Sequence, residues 1–573
     1  MRVTKFTFFL LLFSIFLNGC GGGSGDNLEP SFTQSYQVTV NIEGMGASSA
    51  SNIAVPYGQN TRITLTPNTG YHIGTVSGCN GSLSGNIYTT GNIQTACSVT
   101  VRFNENVPLS QVMTDPELLR CALDGGEQHV HEVTTLSCDG YTVLSMAGVS
   151  QLTQLSRLTL SNASLAQIDL SKNTALTTLN LSGNQLSSID LSNLPQLTTL
   201  NVSNNQLSSL DISNNLKLTD MKAFNNRLTR INLTKNTQLI DLSLGENQLV
   251  EIDVSANLQL LELRVYANQL TSLNVSNNKS LSVLSAYENR LSAVDISNNK
   301  LLQALSLGAN QLMDVDVSLN VRLVELKVYD NQLTSIDITN NTRLQLLDVD
   351  GNQLTAIDVS NNTGLLIVGL DNNQLSEVDV TKNTRLEQLD LDGNQLTAID
   401  LTNNTGLLSL GLDSNQLSSI DVVKNLFLTS LDLDNNQLSE IDVTKNTRLA
   451  QLDLDGNQLT VIDVSNNTAL LSLGLDSNRL TNIDVSNNRV LTSLDLDNNQ
   501  LTSIDITNNL LLSRLNLDNN QITNLDVSRN ASLSELGVNN NQLTVLLLQN
   551  NLELASLDLN NSQLLSIDVS RNV

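Results

Sequence analysis

The chain has 573 residues, with 29 Lys and Arg against 56 Asp and Glu, a net charge of −27, and no tryptophan. That balance argues against nucleic acid as a partner, because phosphate binding needs Lys and Arg. The length would ordinarily mean several domains, but repeat chains escape that count because each unit packs only on its neighbours.

Residues 1–19 read as a targeting segment. Arg2 and Lys5 precede an apolar run from Phe6 to Leu17 that is too short to span a bilayer as a stable helix. The run ends Leu17-Asn18-Gly19-Cys20, which resembles a bacterial lipobox. The resemblance implies cleavage before Cys20 and lipid on its thiol and amine. The alternative is an ordinary signal peptide followed by a structural cysteine. Residues 20–30 hold Gly21-Gly22-Gly23-Ser24-Gly25, a flexible tether. Gly21, rather than Asp, follows the cysteine; by resemblance to Gram-negative lipoproteins this favours the outer membrane, where several acyl chains would anchor the protein.

Residues 31–104 are expected to form a small all-β module. Tyr36–Ile42, Thr61–Leu65 and Val99–Phe103 alternate with period two, as half-buried strands do. The stretch from Gly70 to Cys79 resembles the small β-repeat modules of bacterial surface proteins, which implies a stalk or spacer; Val76 stands where those modules usually carry Trp. Residues 105–154 are expected to form an amino-terminal cap on the repeats that begin at Leu155. Asp115 is an N-cap, Pro116 occupies the first helical position, and Gly125 follows the end of the helix. Val133–Cys138 then matches the start of a degenerate repeat, which turns Cys138 inward. With Cys20 set aside, Cys79, Cys97, Cys121 and Cys138 remain, and four cysteines allow three pairings. Locality within each segment favours Cys79–Cys97 and Cys121–Cys138; the alternative is four reduced core cysteines.

From Leu155 to Val573 one 21-residue unit recurs twenty times. A clean copy runs from Leu386 to Gly406, LEQLDLDGNQLTAIDLTNNTG, on the template L-x-x-L-x-L-x-x-N-x-L-x-x-I-D-V-x-x-N-x-x. With the first Leu as position 1, Asn fills position 9 at every copy from Asn184 to Asn541, eighteen times without an insertion. A fixed period of this length means a solenoid. The pattern resembles the leucine-rich repeat, and bacterial internalin-type surface proteins in particular, some of which carry Cys at position 6 where this chain has Leu, Val or Ala. The resemblance implies an α+β horseshoe with a concave parallel sheet. Positions 3 to 7 are expected to form one strand per repeat, and strands spaced about 4.8 Å apart give twenty copies an arc of roughly 95 Å. Positions 1, 4, 6, 11, 14 and 16 fill the interior. Asn at position 9 is read as structural, its amide satisfying backbone groups that a leucine core cannot. Asp recurs at position 15 in seventeen copies and is read as a turn-stabilising carboxylate, with a convex ligand face as the alternative. Residues 382–444 and 445–507 are near-identical blocks of three repeats, so a recent duplication also copied their surface residues. The chain stops at Val573, one residue short of completing repeat 20. An exposed last strand there would be a pairing site, blunted by the degenerate final repeats or docking another chain.

Positions 3, 5 and 7 point out of the concave sheet, and they sort into two zones. Repeats 4 to 9 carry Phe224, Tyr266, Tyr287 and Tyr329 at position 7, with Gly245 and Gly308 between them, and Lys222, Arg264 and Lys327 at position 5. Exposed aromatics among mixed charges have the composition of an interface centre, for a protein or a sugar ring; the alternative is a row of tolerated surface aromatics. Repeats 10 to 18 carry Asp350, Asp371, Asp392, Asp413, Asp434, Asp455, Asp476, Asp497 and Asp518 at position 7 without a break. Carboxylates about 5 Å apart repel by roughly 0.9 kcal/mol per adjacent pair even at water's dielectric constant. Counterions, divalent cations such as Ca²⁺ held between strands, or a basic partner are the three ways to offset that repulsion.

Nothing points to catalysis. Only His72, His129 and His131 are present, and His129-x-His131 lacks a convincing third ligand. No nucleophile–base arrangement, phosphate loop or zinc spacing is visible. The sequence therefore predicts an exported, lipid-anchored, non-enzymatic surface protein whose concave face binds a protein or glycan. The second reading is an envelope scaffold that binds cations through its acidic stripe.

Overall fold

The computed structural model describes residues 34–572. Cys20, the targeting segment and the glycine tether lie outside the described residues. The chain divides into two compact units, one ending at Val107 and the other beginning at Pro108.

The first unit is built from two small sheets. In one, β1 (Ser35–Glu43) lies between β3 (Asn52–Pro56) and β8 (Cys97–Glu105), and β8 also pairs with β5 (Tyr71–Gly78). The first and last strands thus run side by side and in parallel, with Val40 opposite Val99. The other sheet joins the short strands β2 (Gly46–Ser48), β4 (Arg62–Pro67), β6 (Ser82–Ser84) and β7 (Ile87–Thr89). The alternating apolar positions do what period two requires: Val38, Val40, Ile63, Leu65, Val99, Val101 and Phe103 are all buried. Gly46 is needed where β2 passes Phe103, because a Cβ there would sit 2.5 Å from the ring. Cys79 and Cys97 are joined, tying the end of β5 to the start of β8.

The second unit opens with a cap. A single turn, α1 (Leu109–Val112), precedes α2 (Pro116–Asp124). Asp115 caps α2 by accepting from the Glu117 and Leu118 N–H groups, and its second oxygen accepts from the N–H groups of Leu144 and Ser145, which pins that later loop to the start of the helix. Gly125 remains right-handed at the helix end, and the left-handed residue is Gly126 at φ +97°. Cys121 bridges to the fully buried Cys138. The strand β9 (Thr135–Ser137) pairs in parallel with the strand of the first repeat, so the degenerate repeat completes the sheet.

Each of the twenty repeats contributes one strand to the main sheet, in register with its neighbour 21 residues away, and repeats 18 and 19 add a second, separate pair, Asn524–Asp526 with Val545–Leu547. The regular strand is shorter than the sequence suggests, covering positions 3 to 5 only, as in Gln388–Asp390. The inter-repeat ladder nevertheless runs further. The Leu391 N–H at position 6 donates to Gly411, and the Gly393 N–H at position 8 donates to Asp413. Position 8 then turns left-handed, near φ +50° in copy after copy, which suits the Gly and Asn found at many copies.

The interior is a continuous apolar column from Leu109 to Leu554. Two asparagines per repeat make its backbone tolerable. At position 9, the Asn394 amide donates to the carbonyls of Leu370, Leu391 and Asp392, while its oxygen accepts from the Leu375 N–H. At position 19, the fully buried Asn404 donates to Val380 and Asn383. Leu194 breaks that second column, yet Asn215 still donates to the Leu194 carbonyl. On the far face, Asp400 at position 15 accepts from both the N–H and the hydroxyl of Thr402, and these hydrogen bonds hold its carboxyl below the usual range.

Candidate protein-binding face

Residues at positions 4 and 6 face the core, so positions 3, 5 and 7 of each repeat line the concave face. On repeats 4 to 9 the aromatic side chains do not stand free. The Tyr266 and Tyr287 rings are stacked, with centroids 4.8 Å apart and planes 5° from parallel. The Tyr266 ring lies flat over Gly245, where a Cβ would come within 2.4 Å of it. Tyr329 lies in the same way over Gly308, within 2.3 Å. The glycines between the aromatics are therefore the floor on which the rings rest, a role that their place in the sequence shows only in retrospect. Burial pushes the hydroxyls of Tyr266, Tyr287 and Tyr329 above the usual range, so all three stay neutral hydrogen-bonding groups.

The cations of this zone differ from one another. Arg264 is held between Asp241 of the neighbouring strand, 3.1 Å away, and Glu262 of its own. It stiffens the rim of the aromatic patch, and its charge is already matched. Burial raises the Asp241 carboxyl against the opposing pull of Arg264. Lys222 is exposed and Lys327 half-buried, and Phe224 shares the face two repeats before Tyr266.

The nine aspartates from Asp350 to Asp518 all lie half-buried along the concave sheet. They are not simply a row of repelling charges. The position-6 carbonyl turns inward to the asparagine column, which leaves the position-7 N–H without its usual ladder partner. The carboxylates supply one. Asp350 accepts from the Asp371 N–H at 3.0 Å, Asp392 from Asp413 at 2.7 Å, and Asp434 from Asp455 at 2.7 Å. Asp518 does the same for Asn539. Position-5 carboxylates add to this, with Asp432 reaching the Asp434 N–H.

Burial, and then the neighbouring carboxylates, push several of these groups far up. Asp392 and Asp455 rise to about 7 and Asp495 to about 6, while Asp350 and Asp434 rise further still. Part of the stripe therefore carries protons at neutral pH, which relieves repulsion in a way that the spacing alone does not reveal. Glycines at position 5 provide the room: a Cβ at Gly474 would meet the Asp453 carboxylate at 2.1 Å, and one at Gly411 would meet Asp390 and Asp392 within 3 Å.

Among the described residues, one group of three carboxylates converges closely enough for a cation, Asp434, Asp453 and Asp455, whose oxygens lie within 4.8 Å of one another. Two belong to the predicted position-7 row, and the third, Asp453, comes from position 5. The predicted row thus supplies one such cluster rather than a continuous series of sites. At the cap, the His129 ring bonds to Glu132 at 3.0 Å and lies 5.9 Å from His131. Glu132 is committed to the Gln128 and His129 N–H groups.

A family model, Leucine Rich repeats (2 copies), matches residues 174–215. The functional domain of InlJ from Listeria monocytogenes is similar at 28% identity, covering 66% of this chain and 77% of that one with a TM-score of 0.52. The solenoid is a leucine-rich-repeat fold. A leucine-rich-repeat protein of Leptospira interrogans is similar at 27% identity, over 55% of this chain and 88% of that one, TM-score 0.51. The plant peptide hormone receptor RGFR1, solved in complex with RGF2, shares the fold at 23% identity, over 72% and 79% of the two chains, TM-score 0.61. No curated protein matches the sequence. The InlJ domain includes a cysteine ladder; the leucine-rich repeats here have no cysteine after Cys138, and position 6 is aliphatic throughout. Among the described residues, no helix is long and apolar enough to cross a membrane.

Proposed function

We propose that this chain is a non-enzymatic binding protein of the cell envelope, exported and anchored by lipid on Cys20, outer membrane included. Its concave face takes a protein ligand, or a glycan, in surface recognition or adhesion. The observation that carries this reading is the aromatic centre. Tyr266 and Tyr287 are stacked on each other and Tyr266 and Tyr329 are seated on glycine, so the rings present flat faces whose conformational entropy is already spent. Rigid, partly buried aromatics make the strongest anchors at interfaces. Lys222, Phe224, Arg264 and Lys327 complete the patch. The test is the triple replacement of Tyr266, Tyr287 and Tyr329 by Ala, followed by capture of surface proteins and glycans. Capture is expected to disappear while the circular dichroism of the solenoid is unchanged; undiminished capture defeats the reading.

A second reading is supported by the convergence of Asp434, Asp453 and Asp455. Oxygen-only sites of this kind suit Ca²⁺, which would make the acidic face a cation-bridged scaffold. Thermal unfolding with Ca²⁺, with Mg²⁺ and with NaCl at matched ionic strength separates the cases. A rise in midpoint specific to Ca²⁺ supports the scaffold; equal small shifts mean ordinary screening.

A further inference from the structure

Resting on the reading of the concave face as a protein-binding surface, we propose that the partner presents an extended, positively charged segment. One of its Lys or Arg side chains is seated between the Tyr329 ring and the carboxylates of Asp348, Asp350 and Asp371.

Three observations meet at this place. The first is a hollow of about 390 Å³ at the junction of the two zones, lined by Tyr329 and by Asp330, Asp348, Asp350 and Asp371. The ring is fixed there because it lies over Gly308. A fixed aromatic face beside carboxylates attracts a cation twice, through the ring quadrupole and through charge-assisted hydrogen bonds.

The second observation is the distribution of charge. From residue 346 to residue 513 no Lys or Arg stands at position 3, 5 or 7 of any repeat. Lys327 bounds the stretch at one end, and Arg514, already paired with Glu535 at 2.8 Å, bounds it at the other. The cations of these repeats, such as Lys382, Lys424, Arg448 and Arg479, stand at positions 10, 18, 20 and 21, away from the strands. The position-15 aspartates accept hydrogen bonds from the residue two places on, as Asp400 does from Thr402 and Asp421 from the Val423 N–H. Beyond Lys327, no cation on the strands of these repeats offsets the concave carboxylates that stay ionised.

The third is length. Nine strands about 4.8 Å apart span roughly 40 Å, which an extended peptide of about 12 residues covers. A compact cation fills one hollow, whereas an extended basic segment follows the whole row and ends against the tyrosines.

The experiment uses the full chain and a fluorescein-labelled 12-residue peptide of alternating Arg and Ser, with an alternating Glu and Ser peptide as control, read by anisotropy. The Arg peptide is expected to bind and the Glu peptide not. Binding should weaken about tenfold when NaCl rises from about 0.05 to about 0.2 M, as screened charge contacts do. The combined Asp348→Asn, Asp350→Asn and Asp371→Asn variant should bind about tenfold more weakly, and Tyr329→Leu about threefold more weakly, with Tyr57→Leu, an exposed tyrosine of the first unit, unchanged. Amide replacement keeps the hydrogen-bond acceptors, and an unfolding midpoint at or above that of the parent shows that the variants are folded. Failure of the Arg peptide to bind at low salt overturns the inference. So does binding that ignores both the Asn variant and Tyr329→Leu, or binding abolished by about 1 mM Ca²⁺ but not by Mg²⁺, which would make the carboxylates a cation site. If the peptide fails while the triple tyrosine variant still loses partner capture, only the basic segment is wrong. If both fail, the concave face is not the binding surface.

Discussion

Replacing Asp392 by Asn should stabilise the protein at pH 8 and leave it nearly unchanged at pH 4. The Asp392 oxygen accepts from the Asp413 N–H at 2.7 Å, and an Asn oxygen can do the same, so the substitution removes charge while keeping the hydrogen bond. In the folded chain, burial and then the Asp390 carboxylate raise Asp392 from the ordinary 3.8 to about 7. A raised carboxyl binds its proton more tightly when folded, so ionising it weakens the fold. The penalty is absent below about 3.8, grows as pH rises, and is complete above about 7. The gap corresponds to at most about 4 kcal/mol, and partial contact with water reduces it to roughly 2 kcal/mol. Urea unfolding followed by circular dichroism at both pH values measures the effect. Amide exchange over residues 386–413 gives a local readout if the repeats do not unfold together. A midpoint lowered at pH 8, or an equal shift at both pH values, would refute the reasoning.

Other consequences are more local. Asn394→Ala leaves the Leu375 N–H without its acceptor in the core and removes one of the two donors from each of three carbonyls, and should cost about 3 kcal/mol, read as accelerated amide exchange in repeats 11 to 13. Gly245→Ala drives a methyl into the Tyr266 ring, so the near-ultraviolet signal of the Tyr266–Tyr287 stack should fall while far-ultraviolet circular dichroism holds. Ala267→Gly relieves a left-handed residue at φ +47° and should stabilise by about 0.5–1 kcal/mol, seen as a higher urea midpoint. Reducing Cys121–Cys138, which are 17 residues apart, should loosen the cap by about 3 kcal/mol, with the first exchange protection lost around β9.

The architecture was legible because the same pattern is written twenty times. Apolar residues, mostly Leu, at positions 1, 4, 6 and 11 and Asn at position 9 leave one packing solution, and the Asp115-Pro116 start marks the cap helix. Both cysteine pairings follow from locality. What the sequence hides is where the backbone runs short of partners. The strand closes after position 5 because the position-6 carbonyl turns to the asparagine column, and this gives the position-7 carboxylate its role as a backbone acceptor. The repeated Asp looks like excess charge until that N–H is located. Likewise Gly245 and Gly308 look like gaps between aromatics and turn out to support them. Arg264 looks like a free anchor and is held by Asp241 and Glu262. These details depend on neighbours 21 residues away, which a pattern read along one repeat does not display.

The most direct measurement places a photo-crosslinking side chain at Tyr287, on the concave face, and separately at Thr402, on the opposite face, in the full chain displayed on cells. A partner is expected to be trapped from position 287 and none from position 402. Equal trapping from both, or trapping from position 402 alone, would contradict the assignment of binding to the concave sheet.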